Sequence, residues 1–155
     1  MTMRSNQFLI PGDPNLDPTI NVALLEQADG SILVTLTQSG GKTADIRGLF
    51  FDVTNASILN TLVVTGSQVT GSLFKDEAVT DLGNGVNMQG AQVAAFDAGV
   101  SFGTAGIGQN NVLSISFVLS TKNSTPLTLD LLANVDFGVR LTSVGEKFYG
   151  FDGSP

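Results

Sequence analysis

The sequence predicts an all-β protein, an antiparallel jelly-roll-like β-sandwich of about nine or ten short strands. Three observations carry this. Apolar and polar residues alternate over most of the chain, as in Val112–Leu119, where Leu113, Ile115, Phe117 and Leu119 point one way and Ser114 and Ser116 the other. Clusters of Gly, Asn, Asp and Pro interrupt these runs at near-regular spacing. No segment sustains the 3.6-residue period of an amphipathic helix. A sandwich is preferred to a closed barrel because the two irregular stretches, 75–90 and 103–110, fit more easily at the ends of open sheets.

The elements follow in chain order. Residues 1–18 are polar and hold Pro11, Pro14 and Pro18, which suits an arm or linker. Thr19–Leu25 and Ser31–Thr37 alternate cleanly and flank Asp29-Gly30, a hairpin signal, so they are expected as antiparallel neighbours. Asp45–Val53, DIRGLFFDV, is expected near the middle of a sheet. Its alternation puts Leu49, Phe51 and Val53 on one face, with Arg47, and Ile46 and Phe50 on the other. A strand apolar on both faces needs cover on both, and the arm or a long loop is expected to supply the second cover. Ile58–Val64 and Gln68–Phe74 read as two further strands around Gly66-Ser67. Lys75–Gly90 reads as a long loop. Ala91–Phe96 is expected as a strand, with a turn at Phe96–Gly99 leading into Val100–Phe102. After Val112–Leu119 comes a turn at Lys122–Pro126, then strands marked by Leu127, Leu129 and Leu131 and by Phe137, Val139 and Leu141. One domain is expected over 19–150, with 151–155 as a tail.

Composition narrows the function. The chain has 155 residues, enough for a substantial core, and a formal net charge of −7. Its seven Lys and Arg residues are scattered, so no basic stripe offers itself to nucleic acid or to an anionic membrane surface. No apolar run reaches the roughly 20 residues of a membrane-spanning helix, and no membrane insertion is expected. There is neither Cys nor His, which removes disulfides, thiolate chemistry, the commonest general base and the commonest transition-metal ligand. Ser/His/Asp and Cys/His devices are therefore unavailable.

The stretches DIRGLFFDV, AAFDAGVSFGTAGIGQNNVLSISFVLS and DFGVRLTSVG together resemble a β-sandwich domain of cyanobacterial and marine proteobacterial secreted proteins. Such domains are found beside RTX-type calcium-binding repeats. The resemblance spans most of Thr19–Gly145 and rests on the placement of Gly and Phe, not on a catalytic motif. It implies an extracellular or cell-surface module for adhesion, surface structure or glycan contact. Polysaccharide or another surface protein would be its partner. It carries over no site residue, and the nonapeptide calcium repeat itself is absent from this chain.

The residues themselves offer a calcium site in the 76–87 segment. Asp76, Glu77, Asp81, Asn84 and Asn87 supply hard oxygens, Gly83 and Gly85 let carbonyls turn inward, and Asp97 or Asp52 could add a ligand. The same residues serve as turn formers on a solvated acidic surface, and their spacing is not that of an EF-hand. Phe148, Tyr149 and Phe151 are the one candidate aromatic platform for a sugar, against an edge strand packed on the domain. The Gly99–Gly108 run precedes no helix and lacks a Lys, so it is not a phosphate cradle. Asp45, Asp52, Asp97, Asp130 and Asp136 could provide the paired carboxylates of a carbohydrate-active enzyme, the alternative reading; such carboxylates more often pair with Arg47 or Arg140. A further alternative is a self-assembling structural subunit that pairs through strand edges poorly guarded by Lys.

Overall fold

A computed structural model of the chain describes residues 4–10, 19–39, 45–80, 95–102, 114–123, 125–142 and 147–151. Their ten strands form two five-stranded antiparallel sheets, the all-β sandwich expected from the sequence. The first sheet has the order β1 (Ser5–Ile10), β2 (Thr19–Glu26), β3 (Ile32–Ser39), β8 (Ser114–Thr121), β5 (Leu62–Thr65). The second has the order β10 (Lys147–Phe151), β9 (Phe137–Thr142), β4 (Asp45–Phe51), β7 (Phe96–Phe102), β6 (Val69–Val79). The chain therefore crosses from one sheet to the other after β3, β4, β5, β7 and β8.

Alternation decides which side chains meet between the sheets. Ile20, Val22 and Leu24 of β2, Val34 and Leu36 of β3, and Ile115, Phe117 and Leu119 of β8 form one wall of the core. Leu49 and Phe51 of β4, Ala98, Val100 and Phe102 of β7, and Val139 and Leu141 of β9 form the other. Each fully buried side chain of this size contributes about 1.5–3 kcal/mol relative to an exposed one. Phe137 joins the walls at one corner: its ring lies 4.6 Å from Phe8 and 5.9 Å from Phe51.

The β2–β3 hairpin forms as expected. Gly30 takes φ +89°, the left-handed region that favours glycine, and Asp29 Oδ1 accepts the Ser31 N–H at 3.0 Å. β4 is the middle strand of its sheet, also as expected.

Its faces differ from simple alternation. The β4–β9 register shifts between Ile46 and Gly48, which makes Arg47 the extra residue of a β-bulge. One inserted residue reverses the alternation before it, so Ile46 joins Leu49 and Phe51 in the inter-sheet core. Phe50 stays on the opposite face, where it is fully buried and lies 5.9 Å from Phe96. Arg47 is 4% exposed and donates from Nη1 to the Phe102 carbonyl.

Four more stretches depart from the pattern. Ser5–Ile10, read as part of an arm, is an edge strand paired with β2, so this part of the arm lies on the first sheet and does not cover β4. Ala56–Thr61 is a 3-10 helix (η1), not the start of a strand; the Asn55 side chain accepts the Ser57 N–H at 3.2 Å and starts the turn. Leu129–Leu132 is a second 3-10 helix (η2), because burial falls on the adjacent pair Leu131 and Leu132, which a strand would send to opposite faces. Phe96–Phe102 runs as one strand, every residue buried, with no turn at Gly99.

Candidate functional site

Five of the carboxylates singled out in the sequence, Asp52, Asp76, Glu77, Asp97 and Asp136, converge at one end of the second sheet. The β6–β7 register runs Phe74 opposite Ala98 and then Val79 opposite Phe96. Lys75–Ala78 therefore bulge out against the single residue Asp97. A bulge leaves backbone groups without ladder partners, and such groups need another partner when they are not solvated.

Asp97 supplies it. Its Oδ1 accepts the Glu77 N–H at 2.8 Å, and its Oδ2 accepts the Val53 N–H at 3.0 Å, just beyond the end of β4. Its own N–H donates to Asp52 Oδ1 at 3.1 Å. The Asp52 N–H in turn donates to the Asp136 carbonyl at 3.0 Å, ahead of β9. One 5%-exposed side chain thus ties β6, β7 and the end of β4 together.

Around this tie lies an open cleft of about 390 Å³ lined by Asp52, Asp76, Glu77, Asp97 and Asp136, with Thr54, Asn134 and three apolar residues. No Lys or Arg is among the described lining residues. Glu77 (φ 49°) and Asn134 (φ 57°) are the two non-glycine residues of positive φ among the described residues, and both line it. For Asn the left-handed conformation is common; for Glu it is not, and the Asp97 carboxylate on the Glu77 N–H holds it there.

The electrostatic consequence falls on Asp52. Burial and then the negative charge of Asp97, with smaller contributions from Asp136 and Glu77, push its carboxyl from 3.8 up to about 6; the Asp97 N–H opposes them only in part.

Of the predicted calcium ligands, the structure places Asp76 and Glu77 in the bulge and brings Asp52 and Asp97 to the same cleft. Asp81, Asn84 and Asn87 lie outside the described residues. Asp136, weighed in the sequence only as one of several carboxylates, belongs to the cleft, and Asn134 was missed. The Asn-Val-Asp run before β9 was the available signal, since Asn and Asp there favour a turn that aims side chains beside a strand end. Asp130 lies elsewhere: it accepts from Arg4 Nη1 at 3.2 Å. Phe148, Tyr149 and Phe151 belong to the edge strand β10.

Hard carboxylate and amide oxygens suit calcium. Among the described residues, however, no group of three or more acidic side chains is gathered closely enough to hold an ion alone. The cleft is thus an acidic half-shell around a structural Asp97. Comparison of the chain with family models, with curated proteins and with solved structures finds no match.

Proposed function

We propose that the chain is a non-catalytic β-sandwich module acting by contact, in adhesion, surface structure or glycan binding outside the cell, and that calcium steadies it. The observation supporting this is the cleft itself: five carboxylate residues with no cation among the described lining residues. Like charges gathered in this way repel one another, and a divalent ion is the simplest relief. The remaining ligands would come from Asp81, Asn84 and Asn87, which follow β6 in the chain. A polysaccharide hydroxyl could complete the coordination.

Calcium that binds only the folded state must raise the melting temperature. A calcium concentration about a hundredfold above the dissociation constant adds about 2.7 kcal/mol. For a chain of this size that is a rise of about 5–11 °C. Melting in EDTA and in millimolar calcium checks this, and coincident curves remove calcium from the proposal. A glycan array on the same protein checks the contact partner.

The alternative, a carbohydrate-active enzyme, draws on the raised Asp52 carboxyl, the property of a general acid. Against it, both oxygens of the neighbouring Asp97 are engaged by backbone N–H groups, which gives that carboxylate a structural task. Glycosidase turnover abolished by Asp52→Asn would favour the enzyme over the module.

A further inference from the structure

The first sheet differs from the second in charge. Its strands β1, β2, β3, β5 and β8 contain one ionisable residue, Glu26, at the end of β2. That side chain accepts the Leu129 N–H at 2.8 Å and pairs with Arg4 at 3.0 Å, away from the outer face. The strand registers place the outward residues in rows. Leu9, Asn21, Thr37 and Ser114 form one row; Gln7, Ala23, Thr35 and Ser116 the next; Ser5, Leu25, Leu33, Val118 and Thr65 the third. Every member is uncharged. Leu9 and Leu25 are 56% and 40% exposed, and Leu25, Leu33 and Val118 lie side by side as an aliphatic band.

Soluble proteins usually scatter Lys and Glu over an open sheet face, which keeps faces apart. A chain of net charge −7 repels its own copies least through a face that carries no charge of its own. We infer that the outer face of the β1–β2–β3–β8–β5 sheet is where a second copy of this chain docks, sheet against sheet, about a two-fold axis. Two-fold docking is the arrangement in which one patch serves both partners.

The area is sufficient. Strands of six, eight, eight, eight and four residues, about 4.8 Å apart and about 3.4 Å per residue, give a face of roughly 550 Å² per copy, or about 1,100 Å² in all. This clears the roughly 1,000 Å² expected of a biological interface and suits a weak, concentration-dependent dimer. A sugar is the poorer occupant, since the three rows contain no aromatic ring to stack against it. The surface is independent of the acidic cleft, which belongs to the other sheet, and stands if the calcium reading fails.

Sedimentation of the full chain from about 1 to about 500 µM tests the inference. The expected result is a monomer–dimer equilibrium that tightens between about 0.05 and 0.5 M NaCl, because salt screens the residual repulsion and breaks no ion pair across the face. Thr35→Lys and, separately, Ser116→Glu place a charge in the middle row and should each weaken the dimer at least about 30-fold. Ser72→Lys, an exposed residue on the other sheet, should leave it unchanged. Circular dichroism and melting of each variant at dilution verify folding, and if one fails to fold the other carries the test. A monomer at all concentrations overturns the inference, and so does a dimer indifferent to both folded variants. Glycan binding by a monomer that Thr35→Lys abolishes also overturns it and assigns the face to a sugar.

Discussion

Replacing Asp52 by Asn removes one negative charge from the acidic cleft while keeping an oxygen to accept the Asp97 N–H, now at 3.1 Å. The folded protein holds the Asp52 proton up to about pH 6, whereas the unfolded chain releases it near 3.8. Below the lower value both states are protonated and Asp52 has no net effect. As pH rises from there to about 6 the unfolded state loses its proton first, and stability falls. Above about 6 the full penalty is present. A rise from 3.8 to about 6 corresponds to at most ~3 kcal/mol. Asp52 is only partly buried, so solvent screening reduces this to roughly 1–2 kcal/mol. The variant should therefore melt about 2–8 °C above the parent at pH 8, and the two curves should converge towards pH 4. Scanning calorimetry in EDTA at fixed ionic strength, from about pH 4 to pH 8, measures the difference. A variant less stable than the parent at pH 8, or a difference that ignores pH, would refute the electrostatic account of the cleft. Millimolar calcium should then reverse the order, because the parent keeps the stronger ligand.

Two further substitutions test the β2–β3 hairpin and the end of β2 in the first sheet. Gly30→Ala puts a methyl carbon 3.0 Å from Pro126 Cα at a residue of φ +89°, where the Gly30 carbonyl also receives the Leu127 N–H at 2.7 Å. It should cost about 1–3 kcal/mol in urea unfolding, and an unchanged midpoint would show that the hairpin relaxes freely. Glu26→Gln disturbs a carboxylate whose proton affinity is lowered first by the Leu129 N–H and then by Arg4. Its contribution is present above the ordinary value of 4.5 and is lost as pH falls through the lower folded value, so the variant should melt below the parent at pH 7 and approach it in acid.

Much of the fold was legible because period-two alternation reports burial directly. Ile20, Val22 and Leu24, and Ile115, Phe117 and Leu119, point inward in the structure as the pattern requires. The misreadings share a cause: alternation assumes that no residue is inserted. At Arg47 one extra residue moved Ile46 to the other face. At Ala56–Thr61 and Leu129–Leu132 apolar residues that mimic a strand are wound into 3-10 turns, which local capping by Asn55 decides in the first case. Asp76 and Glu77 were legible as clustered carboxylates, but their meeting with Asp136 was not. The bulge that brings them together depends on Asp97 being opposite it in space, and pairing of β6 with β7 is a tertiary fact.

The acidic cleft has one structural explanation and one remainder. Lys75–Ala78 could not leave the ladder without a partner for the Glu77 N–H, and Asp97 is that partner; a buried carboxylate there replaces the missing strand contacts. That reasoning accounts for Asp97 and for nothing else in the cleft. Asp52 as Asn would keep a hydrogen-bond acceptor for the Asp97 N–H without the burial and repulsion that lift its carboxyl to about 6. The proposed calcium would turn this repulsion into attraction. The Asp52→Asn melts in EDTA measure the repulsion alone, and the calcium melts measure its relief, so the two together separate a charge kept for a ligand from one merely tolerated.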